Sequence, residues 1–165
     1  MPGPEAGRSA RLRRARREDI PALLGAVGGP EAGRARALRR ILKTLAADVY
    51  VLDRDRRVDG VVAIFYRRSL HQGGLVAIID ALESFASSGA GEREERCGDV
   101  ESLLELAIER ARRRGCVAVH TAIGAPSFAG ALGARGFVAG PPHWVRALDR
   151  GEADAAGPEV EGGEG

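Results

Sequence analysis

From Val100 to Ala111 the apolar residues fall at helical spacing. Val100, Leu103, Leu104, Ala107, Ile108 and Ala111 share one face, and the other face is charged. Acids lie early in this stretch and Arg112-Arg113-Arg114 lie late, which suits the helix dipole. Gly115 follows where a left-handed residue closes a helix, and Asp99 stands where a side chain caps one. Leu75-Val76-Ala77-Ile78-Ile79 precedes it and is apolar on both faces, as a central strand is. Cys116 to Ala122 follows as another strand. Strand, crossover helix and strand predict one parallel βαβ unit.

The remaining elements surround that unit. Arg11 to Ala15 is a short strand, and Arg17-Glu18-Asp19-Ile20-Pro21 opens a helix that stops at Gly28-Gly29. A second helix is expected over 31–47, with Leu38, Ile41, Leu42 and Leu45 at helical spacing. Val49–Leu52 and Gly60–Arg67 are β-rich runs around a polar turn at 53–59, and His71-Gln72-Gly73-Gly74 turns the chain into the central strand. Three strands joined by short turns predict an antiparallel meander. Residues 87–98 read as a loop, a short helix is expected near 126–135, and a last strand around 143–148. The fold class is therefore mixed α/β.

The 165 residues suit one domain. Residues 1–10 and 150–165 are expected to be disordered, leaving a folded body over 11–149. No window approaches a membrane span, and no apolar leader is evident, so a cytoplasmic protein with no membrane partner is expected. The whole chain carries +2 and residues 151–165 carry −5, which leaves +7 on residues 1–150 and an affinity for anionic partners. Lys43 is the only lysine, and the abundant arginine follows the Ala/Gly/Arg bias of the whole chain. With no interleaved aromatics, nucleic acid is not expected as a partner. His71, His120 and His143 are dispersed, Cys97 and Cys116 form no metal motif, and no metal site is expected. His120 reads as a packed strand residue, Cys116 as core, and Cys97 as an inert thiol.

Arg11-x-Arg13-x-Ala15-x-x-Glu18-Asp19-Ile20-Pro21 resembles the first strand and helix of the GNAT (GCN5-related N-acetyltransferase) superfamily. Ile79-Asp80-Ala81-Leu82-Glu83-Ser84 resembles the strand that ends beside the thioester. Gly98, Leu103-Leu104 and the run to Gly115-Cys116 resemble the loop and helix that hold coenzyme A, and Leu132-Gly133-Ala134-Arg135-Gly136-Phe137 resembles the late helix. The resemblance spans 11–149. It implies a GNAT-like fold: a mostly antiparallel sheet with one parallel βαβ unit and a splayed strand pair.

It also implies acetyl-CoA as co-substrate and a primary amine as acceptor, with a homodimer possible. Cofactor contacts would come from Leu82 and Ser84 on the strand, and from Arg96, Cys97, Gly98, Asp99, Val100 and Glu101 at the helix start. The family loop keeps only its central glycine here, at Gly98; Glu95 and Val100 replace its usual residues. Asp80 matches the acidic position that serves as base, where burial at the end of an apolar strand would raise its pKa. Glu83 is the alternative, and clean alternation would put the two on opposite faces. The late-helix tyrosine that protonates the thiolate is Leu132 here, and the usual asparagine is Ala125. Acetyl transfer to an amine is the leading function; the alternative is a GNAT-fold module that has lost catalysis and binds a ligand or partner.

Overall fold

The computed structural model describes residues 10–26, 31–85, 92–121 and 129–138. Strand β1 (Arg11–Arg14) leads through a 3-10 turn (Arg17–Asp19) into α1 (Ile20–Ala26) and α2 (Glu31–Ile41). Strands β2 (Ala47–Arg54), β3 (Arg57–Ser69) and β4 (Gly74–Ser84) follow, then α3 (Glu92–Arg113), β5 (Ala118–Thr121) and α4 (Ala129–Ala134). The five strands form one sheet in the order β1-β2-β3-β4-β5. The first three pairings are antiparallel, and β4–β5 is parallel. The predicted meander and βαβ unit are both present.

The sheet is covered on both faces. Leu103, Leu104, Ala107 and Ala111 of α3 pack with Val62, Ile64, Ala77, Ile79 and Leu82. On the other face Leu23 of α1 packs with Val49, Val51 and Val61, and Leu38, Ile41 and Leu42 close over them. Strand residues of opposite parity thus feed two apolar layers, as the period of two requires. Gly115 has φ +68 and closes α3 as expected. The β2–β3 turn places Asp55 (φ 55) and Arg56 (φ 67) in the left-handed region, and Asp53 Oδ1 accepts the Arg56 N–H at 2.9 Å.

Several boundaries differ from expectation. α2 ends at Ile41 rather than 47, and Leu45 sits exposed in the following turn. The strand after it starts at Ala47 because Asp48 is drawn inward. Asp48 accepts the Tyr66 hydroxyl at 3.0 Å and pairs with Arg14 (3.1 Å) and Arg114 (3.2 Å). The Arg114 guanidinium also lies 4.2 Å from the centre of the Tyr66 ring. Burial beside the Asp48 carboxylate drives the Tyr66 phenol upward, so it stays a donor. β4, by contrast, runs to Ser84, as the resemblance of Ile79–Ser84 to a strand implied. No described helix is long and apolar enough to cross a membrane. The expected strand at 143–148, both termini and residues 126–128 lie outside the described residues.

Candidate functional site at the β4–β5 split

Among the described residues, strands β4 and β5 pair from Val76↔Ala118 to Ile79↔Thr121. Beyond Ile79, β4 continues to Ser84 with no strand on its β5 side among the described residues. Its other edge stays paired with β3 as far as Gly60↔Ser84, and the Phe85 N–H reaches Asp59 O at 2.6 Å. One backbone edge from Asp80 to Ser84 therefore offers free donors and acceptors to an extended ligand.

A bulge shapes this edge. Ala63 pairs with Ala81 and the next residue, Ile64, pairs with Ile79, so Asp80 is the extra residue on β4. Ile79 and Leu82 are both buried under α3, three positions apart, which an unbroken alternation forbids. Asp80, next to Ile79, and Glu83, next to Leu82, consequently share the face away from α3. The expectation of opposite faces is corrected by this one inserted residue. Asp80 is also exposed, which corrects the expectation that it is buried at the end of the strand.

Arginine neutralises nearly every other acid. Arg13 binds Asp19 (2.7 Å) and Asp53 (2.6 Å), holding both carboxyls below their ordinary range through hydrogen bonds. Arg54 bridges Asp59 (3.2 Å) and Asp99 (3.1 Å). Arg135, in the turn just after α4, reaches Glu101 (3.4 Å) and Glu105 (2.8 Å), tying this end of α4 to α3. Among the acids whose side chains are described, Asp80 and Glu83 alone make no hydrogen bond or ion pair.

The helix that follows starts earlier than expected. α3 begins at Glu92, so Arg96, Cys97, Gly98, Asp99, Val100 and Glu101 lie inside it rather than at its N-terminus. Backbone N–H groups at 98–101 are engaged in helix bonds; those with no partner within the helix belong to the first turn at 92–95. Asp99 does not cap the helix. It is buried, bound to Arg54 and to the Ser84 hydroxyl (3.4 Å), so Ser84 and Asp99 do meet. Val100 is 4% exposed and belongs to the core under α3. Leu82 is buried beside it, Arg96 is half-buried, and Cys97 and Gly98 are exposed. The signal for the true start was present in the residue types: Ser87-Ser88-Gly89-Ala90-Gly91 directly precedes Glu92.

The other candidates take ordinary positions. Leu132 packs against the α3 core, and Ala125 lies outside the described residues. His120 is half-buried on β5 opposite Ile78, His71 is exposed in the β3–β4 turn, and His143 lies outside the described residues. Burial pushes the Cys116 thiol up. No group of potential metal ligands forms among the described residues.

No family model matches the chain, and no curated protein matches its sequence. Solved structures do share its architecture. A GNAT family acetyltransferase from Staphylococcus aureus superposes with TM-score 0.64 at 17% identity, over 85% of this chain and 99% of that one. This is a GNAT fold. An aminoglycoside N-acetyltransferase in complex with CoA superposes on the same GNAT fold at TM-score 0.67 and 13% identity, over 87% of this chain and 99% of that one. A transcriptional regulator from Bacillus halodurans also shares it, with TM-score 0.69 and 20% identity, over 85% of this chain and 100% of that one.

Proposed function

We propose that this protein transfers the acetyl group of acetyl-CoA to a primary amine. The observation that carries the reading is the open β4 edge from Asp80 to Ser84, with two unpaired carboxylates on one face of it. An extended amide chain fits such an edge, and the backbone at Leu82 and Ser84 supplies its hydrogen-bond partners. Pyrophosphate suits the first turn of α3, where N–H groups have no partner within the helix and Arg96 lies one turn further on. Gly98, Asp99, Val100 and Glu101 serve the helix and its packing instead.

In the reaction, Asp80 or Glu83 takes a proton from the ammonium form of the acceptor, directly or through water. The amine nitrogen then bonds the acetyl carbon, the carbon–sulfur bond breaks, and the second proton on nitrogen passes to water. A backbone N–H on β4 steadies charge on the carbonyl oxygen. Leu132 cannot donate a proton to the sulfur, so the thiolate leaves unprotonated, which a thiol pKa of about 8.5 tolerates.

Calorimetry with acetyl-CoA, followed by thiol release with a panel of amines, tests this. A dissociation constant on the order of 10–100 µM and amine-dependent thiol release are expected. Binding without thiol release would favour the non-catalytic ligand-binding module. Absence of heat and of any thermal shift at millimolar acetyl-CoA would remove the enzyme reading and leave a module that binds some other ligand or partner.

A further inference from the structure

Three of the four large apolar side chains that stand exposed among the described residues gather at one end of the sheet. Leu45 (83% exposed) lies between α2 and β2, Leu70 (104%) at the tip of the β3–β4 hairpin, and Val117 (57%) between α3 and β5. The turns that carry them touch. Arg114 Nη1 donates to Leu45 O at 2.9 Å, the Val117 N–H donates to Leu75 O at 2.8 Å, and a Cβ on Gly74 would lie 2.7 Å from Val117 Cγ1. Around them Lys43, Arg67, Arg68 and Arg112 are exposed, and their side-chain cations make no ion pair or hydrogen bond. The nearby acids are already neutralised, Asp48 by Arg14 and Arg114, and Glu109 by Arg113.

We infer that this pole docks on an anionic lipid surface, with Leu45, Leu70 and Val117 entering the interfacial layer and the free cations meeting headgroups. A duplex phosphate backbone would satisfy the cations but leave the leucines in water. A second copy placed pole to pole would set like charges together. The acidic residues 151–165 of this chain bring carboxylates but, among large apolar residues, only Val160. An anionic bilayer alone matches both the apolar tips and the cations around them. The absence of a spanning helix bears on insertion and not on surface contact. The β4–β5 split lies at the far end of β4 from this pole.

Cosedimentation of the full chain with vesicles tests the inference. Binding is expected to phosphatidylcholine vesicles containing phosphatidylglycerol at low salt, with loss of binding at high salt and to phosphatidylcholine alone. Arg67→Ser and Arg68→Ser should each weaken it about fivefold. The double change Leu45→Ser and Leu70→Ser should weaken it by about tenfold or more with an unchanged melting temperature, because both side chains are already in water. Failure to bind anionic vesicles at low salt overturns the inference. So does a leucine variant that binds as tightly as the unaltered chain, or tighter binding to duplex DNA than to the vesicles.

Discussion

The carboxylates of Asp80 and Glu83 stand on the same face of β4, although an odd number of steps separates them. The inserted residue opposite Ala63 and Ile64 resets the alternation between them. Both acids therefore border the open edge, and neither is neutralised by arginine.

That placement gives the first prediction. Asp80→Asn and Glu83→Gln are made separately and assayed for thiol release. The variant that removes the base should lose about 10²–10⁴ in turnover while its affinity for acetyl-CoA stays within twofold. The other should retain turnover and show a raised KM for the amine. Full activity and unchanged KM in both would leave water or the substrate as proton acceptor.

Val100 supplies the second. Its side chain is packed with Leu103 and Leu104 under the sheet. Val100→Gly should cost about 2–4 kcal/mol, from helix propensity and the lost packing together. Acetyl-CoA affinity should not rise. A several-fold gain by calorimetry would show that Val100 obstructs the cofactor and that α3 unwinds to bind it.

Arg54 supplies the third. It joins Asp59 of β3 to Asp99 of α3, and both carboxylates are buried. Arg54→Met should lower stability by about 1.5–3 kcal/mol, because two buried carboxylates each lose a charge-assisted hydrogen bond while Asp59 keeps Arg57. A denaturation midpoint equal to that of the unaltered chain would mean that Arg57 and Ser84 suffice.

The pH dependence of stability follows from Arg13. It holds Asp19 and Asp53 below the ordinary carboxylate range in the folded chain. Protons then bind the unfolded chain more readily, so the stabilisation is full above about pH 4 and is lost as pH falls through the folded values. Most of it should come from Asp19, which is buried, since Asp53 is more exposed and screened. Arg13→Gln should flatten unfolding curves measured between neutral and strongly acid pH. An unchanged slope would assign the acid sensitivity to other carboxylates.

Much of this architecture is legible in the sequence, because burial imposes period. The stripe from Val100 to Ala111 gave α3 its orientation, and the unbroken run at Leu75–Ile79 gave the centre of the sheet. The start of α3 was not legible in that way. Glu92–Cys97 is charged and carries no apolar stripe, so the eye stops at Asp99, whose side chain serves Arg54 and not the helix end. Leu45 fits a helical spacing yet faces solvent, since the chain must turn to bury Asp48 at the next strand. A bulge has no residue-type signature at Asp80, and ion pairs such as Arg114–Asp48 join residues too distant in sequence for any local pattern to foretell.

An unpaired strand edge is also a template on which another chain can add a strand, and proteins that keep one open risk assembling through it. The open stretch of β4 carries its own guard. Two copies meeting edge to edge at this place would bring the exposed Asp80 carboxylates and the Glu83 carboxylates against their own kind, with no arginine committed to either. The bulge adds to this, because an irregular strand cannot hold a continuous ladder with a flat partner. Carboxylates on both copies would thus oppose pairing through the split.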